Sequence, residues 1–206
     1  MSQKASASAT AGPHRSGGRR RSSRARLPAA GALSVLGVVA VVILVVDLLT
    51  KQWAESTLEV GLQRPLIGDL LQLNLLYNSG AAWGMGAGIT PVVTSVQIVI
   101  AIGVIVFAVR SVRSPWYAIA LGLVLGGALG NIHDRLLRAP GPFTGWVVDF
   151  LELPHWPIFN VADMGVTTGA VLVVLLGLLG RPADPTAVTE REATSGTDHD
   201  ETEPPR

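Results

Sequence analysis

The sequence lacks cysteine altogether and is poor in charged and aromatic residues. Charged side chains make up 15% of the 206 residues and aromatic ones 5%, whereas about a quarter of a typical soluble domain is charged. The absence of cysteine excludes disulfides, a thiolate nucleophile and cysteine-based zinc or iron–sulfur sites. The scarcity of charge argues against an ordinary soluble domain. Because 49% of the residues are hydrophobic, disorder of the whole chain is excluded as well.

The charges that are present are divided between the two ends of the chain. Residues 1–30 carry seven basic residues and no acid, and residues 181–206 carry seven acids and three bases. Both segments are rich in small and polar residues and cannot bury enough apolar surface to fold alone. We therefore expect a disordered basic tail, a body over residues 31–180 and a disordered acidic tail. Because an apolar segment follows the basic tail directly, a role in membrane topology is favoured over nucleic-acid binding.

The body contains four apolar segments that are close to the length needed to cross a bilayer as a helix. The segments are Ala29–Leu49, Pro91–Val109, Trp116–His133 and Val161–Gly180. The alternative for the first segment is a removed signal peptide, but the segment is too long and has no small-residue cleavage site. The sequence thus predicts an all-α membrane bundle of four transmembrane helices.

The orientation of the bundle follows from lysine and arginine in the flanking segments. The basic tail, Arg110, Arg113 and Arg181 all lie on one side if there are four spans, which places both termini in the cytoplasm. The connections 51–90 and 134–160 then face outward. Within the first connection, Leu71–Leu75 alternates apolar and polar residues, which is typical of a strand. We expect a small outward-facing β-cradle over about residues 52–89.

Ionisable residues collect at the outward ends of the apolar segments, namely Asp47, Lys51, Asp134, Asp149 and Asp163. Such residues at a membrane boundary are costly, so they are candidates for a functional site. A carrier or channel would spread its carboxylates across the depth of the membrane, and these gather at one face. His133 has no second His or Cys at ligand spacing, so no metal site is expected.

Several of these residues also have a structural interpretation. Asp47 and Lys51 have the i, i+4 spacing of a helix ion pair, which is the preferred interpretation for them. Asp134, beside Arg135, is interpreted as a salt-bridged helix end. A non-catalytic scaffold that uses its aspartates only as caps and ion pairs would explain such residues.

Asp149 does not fit the scaffold interpretation, because it lies in the apolar run Trp146–Leu151, where burial should raise its pKa. Asn160 and Asp163 resemble a loose capping box, which leaves Asp163 open between a helix cap and a catalytic group. Two carboxylates held close together share a proton. The ionised one can take a proton from water while the neutral one protonates an amide carbonyl. Asp149 and Asp163, joined by a short connector that can fold back, are the preferred pair.

Five short segments follow one another along the chain in a recognisable order. They are Asp47–Lys51, Asn78–Gly84, Gly126–Arg135, Val147–Phe150 and Phe159–Asp163. Together they resemble the lipoprotein signal peptidases, the type II (prolipoprotein) signal peptidase family of bacteria, over about residues 33–180. Each segment is weak alone, but five in order on four apolar segments are specific. Trp83, where phenylalanine is more usual, and an apparent insertion at Ala139–Thr144 depart from the family pattern.

The resemblance implies an aspartyl endopeptidase of the bacterial inner membrane that needs no cofactor and has cytoplasmic termini. Its substrates would be prolipoproteins with a diacylglyceryl-modified cysteine, cut just before that cysteine. It implies Asp149 and Asp163 as the catalytic pair, and a binding or supporting role for Asn78, Asn131, Arg135, Asn160, Asp47, Lys51 and Asp134. Arg135 and Asn78 would hydrogen-bond the substrate. We expect a monomer in contact with membrane lipids and without a nucleic-acid partner.

Overall fold

The computed structural model describes residues 26–80 and 87–185 of the chain. Its long helices are α1 (Ala29–Thr57), α2 (Thr90–Ser111), α3 (Pro115–Leu137) and α4 (Val161–Leu178). All four are long and apolar enough to cross a membrane, which confirms the predicted helical membrane bundle. Most of both predicted tails lies outside the described residues.

The helices begin close to the predicted positions but differ at their ends. α2 and α3 each have a proline in the first turn, where its missing N–H group costs no hydrogen bond. α1 continues beyond Leu49 to Thr57, so the region predicted as the start of the cradle is helical. The reason is tertiary, because Ala54 in this last part of α1 is buried beneath the sheet.

The helix α3 lies at the centre of the bundle and packs against the other three helices. In its most apolar stretch 67% of the residues are buried, against 17–22% in the other helices. Gly122 and Gly126 of α3 face α1, and Gly127 faces the start of α4, at positions where a side chain would collide with the neighbouring helix. Small residues of this kind allow close helix contacts in membranes. The other helices turn most of their valine, leucine and isoleucine residues outward, as lipid-facing helices do.

A three-stranded antiparallel sheet lies at one end of the bundle, with strand order β1–β2–β3. The strands are β1 (Arg64–Ile67), β2 (Leu71–Asn78) and β3 (Val147–Glu152). β2 confirms the strand predicted from the alternating pattern. β3 comes from outside the predicted cradle. It was not predicted as a strand, because its apolar run lacks the alternation of apolar and polar residues that marks one. Val148 and Phe150 pack towards the end of α1, so Asp149 between them points from the opposite face of the sheet.

Backbone hydrogen bonds join three parts of the chain at the other end of the bundle. The Leu27 amide donates to the Arg113 carbonyl, and the amides of Arg113 and Ser114 donate to the Ala183 carbonyl. The start of α1, the link between α2 and α3, and the chain after α4 therefore meet at the end opposite the sheet.

Candidate active site

Asp149 lies in the middle of β3 and is 1% exposed. Its carboxylate accepts two side-chain hydrogen bonds, one on each oxygen. Asn160 Nδ2 donates to Oδ1 at 2.6 Å, and Asn78 Nδ2 donates to Oδ2 at 2.9 Å. The two asparagines come from the start of α4 and the end of β2, so the carboxylate is held between different elements.

Asp163 lies in the first turn of α4 and is half-buried. The predicted capping box is confirmed: the Asp163 amide donates to Asn160 Oδ1 at 3.0 Å, and the Asn160 amide donates to Asp163 Oδ2 at 3.3 Å. The other carboxylate oxygen, Oδ1, accepts from Asn131 Nδ2 at 2.8 Å. Asp163 therefore caps α4 and also lies beside Asp149.

Asn160 connects the two aspartates directly. Its main-chain amide and its side-chain oxygen bond Asp163, and its Nδ2 reaches both Asp149 Oδ1 and, at 3.2 Å, Asn131 Oδ1. The connector between the aspartates folds back as expected, because the Phe150 and Leu151 amides both donate to the Phe159 carbonyl. The fold therefore brings the predicted pair into one hydrogen-bond network.

The surroundings of Asp149 favour its neutral form. Burial, followed by the nearby charge of Asp163, raises the pKa of Asp149 from 3.8 to about 7. Hydrogen bonds from Asn78 and Asn160 and the charge of Lys51 act in the opposite direction. A carboxyl group that holds its proton near neutral pH beside a second carboxyl group is the arrangement needed for paired acid and base chemistry.

Lys51 lies beneath the aspartates and is completely buried. Its ammonium contacts Asp47 Oδ2 at 2.7 Å, Asp134 Oδ2 at 2.8 Å and Asn131 Oδ1 at 3.1 Å. The predicted ion pair between Asp47 and Lys51 is therefore confirmed, and it belongs to a larger cluster that joins α1 to α3.

Arg135 follows Asp134 in α3 and reaches the loops around the sheet. Its Nη1 donates to the carbonyls of Asn78 at 3.0 Å and Gly145 at 2.9 Å, and its Nη2 donates to the Gly80 carbonyl. It is 2% exposed. In the structure both Arg135 and Asn78 thus bond groups of the protein itself. Residues 81–84 of the motif to which Asn78 belongs, including Trp83, lie outside the described residues.

Sequence reasoning missed two charged residues near the site. Asp134 forms the predicted salt-bridged helix end, but with Lys51 and Arg138 rather than with Arg135. Arg138 Nε lies 2.7 Å from Asp134 Oδ1, and Arg138 Nη1 also pairs with Glu55. The i, i+4 spacing of Asp134 and Arg138 was a usable signal. Nothing in the sequence indicated Glu55, which comes from the end of α1.

Within the described ranges, no group of three or more His, Asp or Glu side chains is arranged to hold a metal ion. The site instead offers two linked carboxyl groups, amide donors that orient them, and a buried cation nearby. Such a set can move protons to and from a substrate and water.

Comparisons with known proteins show the family of this chain. Residues 39–179 match the family described as signal peptidase (SPase) II. The chain is 50% identical over 152 residues to the lipoprotein signal peptidase of Rhodococcus jostii (strain RHA1), covering 74% of this chain and 76% of that protein. It is 47% identical over 148 residues to that of Mycobacterium tuberculosis (strain ATCC 25618 / H37Rv), covering 72% and 73%.

The fold is also similar to two solved structures of bacterial membrane enzymes. One has a TM-score of 0.65 at 26% identity and covers 87% of this chain and 98% of that chain. The other has a TM-score of 0.63 at 29% identity and covers 75% and 97%. The segment that matches the family contains both aspartates and the whole hydrogen-bond network. The chain therefore belongs to the signal peptidase II family and is a multi-pass bacterial membrane protease of the aspartic type.

Proposed function

We propose that this protein removes signal peptides from diacylglyceryl-modified bacterial prolipoproteins by cutting just before the lipidated cysteine, with Asp149 and Asp163 as the catalytic pair, called the dyad below. The names of its relatives support the class of substrate. The observation that carries the catalytic assignment is that Asn160 hydrogen-bonds both aspartates while the pKa of Asp149 lies near 7.

In the proposed reaction the two aspartates have different roles. Asp163, at the positive end of the α4 dipole and bonded by Asn131, is the ionised base that takes a proton from the attacking water. Asp149, buried and neutral, donates its proton to the carbonyl oxygen of the scissile amide. The water oxygen adds to the carbonyl carbon and gives a tetrahedral intermediate. When the C–N bond breaks, the proton held on Asp163 passes to the leaving nitrogen, and the Asp149 carboxylate takes back a proton from a hydroxyl group of the intermediate, which leaves a carboxylic acid product.

The remaining site residues support this pair. Asn78, Asn131 and Asn160 hold the carboxylates by side-chain hydrogen bonds. Arg135 holds the loops next to the dyad in place by donating hydrogen bonds to their main-chain carbonyls. We propose a monomer as the active form.

We place the aspartates at the outer face of the inner membrane and both termini in the cytoplasm. The basic residues Arg26, Arg110, Arg113 and Arg181 lie at the end of the bundle opposite the sheet. An excess of arginine and lysine marks the cytoplasmic side of membrane proteins. The sheet and the dyad then face the compartment in which lipid-modified precursors lie at the membrane surface, in contact with membrane lipids.

The proposal is tested with purified protein in lipid nanodiscs and a prolipoprotein made with and without its diacylglyceryl group. We expect cleavage only of the lipid-modified precursor, with a mature product that begins at the modified cysteine by mass spectrometry. Asp149→Asn and Asp163→Asn should each lower kcat by about a thousandfold or more. Asp69→Asn, the same chemical change in the exposed turn between β1 and β2, is the matched control.

Two results would overturn parts of the proposal. Cleavage at a normal rate by either dyad variant would remove that residue from the catalytic pair. Equal cleavage of the precursor that lacks lipid would remove the proposed substrate class, while leaving the peptidase assignment in place.

A further inference from the structure

Lys51 contacts neither aspartate of the dyad, yet each of its contacts leads to one of them. Its ammonium has three N–H donors, and Asp47, Asp134 and Asn131 accept at 2.7, 2.8 and 3.1 Å. All donors of the ammonium are therefore used. A buried charge is tolerated only when it is paired and hydrogen-bonded in this way.

Lys51 and Asn160 Nδ2 both donate to Asn131 Oδ1, and these two contacts decide which way the Asn131 amide points. Lysine can only donate, so the atom that faces Lys51 must be the carbonyl oxygen Oδ1. The amide nitrogen Nδ2 is thereby turned to Asp163 Oδ1 at 2.8 Å. A flipped amide would place its NH₂ group against the ammonium and its oxygen against the Asp163 carboxylate, which is unfavourable on both sides.

The two carboxylates paired with Lys51 hold the backbone next to the dyad. Asp47 Oδ1 accepts from the amide of Ala162 at 2.8 Å, and Ala162 immediately precedes Asp163. Asp134 Oδ2 accepts from the amide of Val148 at 3.3 Å. Val148 immediately precedes Asp149. At both members of the pair, a carboxylate paired with Lys51 therefore holds the amide of the preceding residue.

From these contacts we propose that Lys51 is the positioning residue of the catalytic pair. Together with Asn160 Nδ2 it orients the Asn131 amide towards Asp163, and it neutralises the two carboxylates that hold the backbone before each aspartate. This role rests on the proposed function of Asp149 and Asp163.

Lys51 also contributes charge to the site. It is one of the groups that lower the pKa of Asp149 against the effect of burial. The other ionisable groups that face the cluster are Asp47 from α1, His133, Asp134 and Arg135 from α3, Arg138 after α3, and Asp163 from α4. Loss of the ammonium should raise the pKa of Asp149, so that this residue keeps its proton to a higher pH.

The test compares Asp47→Asn with the double variant Asp47→Asn/Lys51→Met in the cleavage assay. Methionine has a similar length but neither charge nor donors, and neutralising Asp47 together with Lys51 avoids an unpaired carboxylate. The side-chain oxygen of the introduced asparagine can still accept from the Ala162 amide, and Asp134 keeps Arg138 as a partner. Arg64→Met, which removes a cation from an exposed pair with Glu59, is the matched control and should keep the activity and pH profile of the native protein.

Relative to Asp47→Asn, we expect the double variant to lower kcat about tenfold to a hundredfold with KM changed by less than about twofold. The alkaline limb of its pH profile should move up by on the order of half a unit to one unit. Thermal unfolding in detergent shows whether the variant is folded.

A folded double variant with unchanged kcat and an unmoved alkaline limb would overturn the positioning role. Activity that falls only in proportion to the unfolded fraction would overturn it too, because that is the signature of a purely structural residue. Asp149→Asn in the same assay separates this outcome from failure of the proposed function. If Asp149→Asn cleaves normally, the dyad is wrong; if it is inactive and the double variant behaves like its parent, only the role of Lys51 is wrong.

Discussion

Replacing Asp149 by asparagine should remove activity and yet stabilise the folded protein at neutral pH. The cause is the raised pKa of this carboxyl group, about 7 in the folded state against 3.8 when solvated. Between these values the unfolded chain releases a proton that the folded chain keeps. The stability that the neutral carboxyl provides is complete below pH 3.8 and is lost as the pH rises towards 7.

The size of this effect follows from the pKa difference. Each unit is worth about 1.4 kcal/mol, so the free energy of unfolding falls by about 4 kcal/mol by pH 7. Asparagine does not ionise and escapes this loss. It has only one acceptor oxygen for the two donors, Asn78 Nδ2 and Asn160 Nδ2, which costs about 1–3 kcal/mol. We therefore expect Asp149→Asn to be within about 1 kcal/mol of the native protein in stability at pH 5 and more stable by about 1–3 kcal/mol at pH 7.

The measurement is the thermal unfolding midpoint in detergent at pH 5, 6 and 7, followed by the fluorescence of the five tryptophans. The difference in Tm between variant and native protein should increase by about 5–10 °C from pH 5 to pH 7. Asp69→Asn, in an exposed turn, should show a difference that does not depend on pH. A constant Tm difference for Asp149→Asn over this range would refute the argument that burial raises the pKa of Asp149.

Three further predictions follow from the same site. The rate of cleavage by the native protein should decline above about pH 7, because Asp149 with a pKa of about 7 loses the proton it donates; a rate that keeps rising to pH 9 would contradict its role as the acid. Gly130→Ala should destabilise the protein by about 1–3 kcal/mol, since the added Cβ would collide with the Asp47 carboxylate. Gly103→Ala, whose added Cβ would have nothing within 4 Å, should be tolerated. Equal unfolding midpoints for these two variants would contradict the prediction. In intact cells a membrane-impermeant maleimide should label Asp69→Cys and not Ser111→Cys. The absence of native cysteine makes this comparison simple. Labelling of Ser111→Cys and not of Asp69→Cys would invert the proposed orientation.

The helices were predictable because a membrane-spanning segment must be long and apolar, and both properties are local. Their ends were not, because packing against the sheet extends α1 to Thr57. The ion pair of Asp47 with Lys51 and the capping box of Asn160 with Asp163 were predictable for a related reason. Both depend on spacing within one helix.

The partners of Asp134 and Arg135 show where sequence reasoning fails. Adjacent helix residues point about 100° apart, so these two do not pair although they are neighbours in the chain. Asp134 turns inward to Lys51 and Arg138, and Arg135 turns to main-chain carbonyls of loops outside its own helix. The strand β3 was missed because an apolar run without alternation does not distinguish a strand from a buried helix segment.

The sequence by itself determined the class of this protein: a cysteine-free membrane bundle with its carboxylates at one face and two aspartates as the preferred pair. Hydropathy, charge and short spacings suffice for that, because they act over a few residues. Only the tertiary structure decided how the pair is held. Asn160 joins Asp149 to Asp163, and Lys51 and Asn160 together hold the Asn131 oxygen so that its amide nitrogen faces Asp163. These contacts between α1, α3, β3 and α4 form only when distant segments pack together.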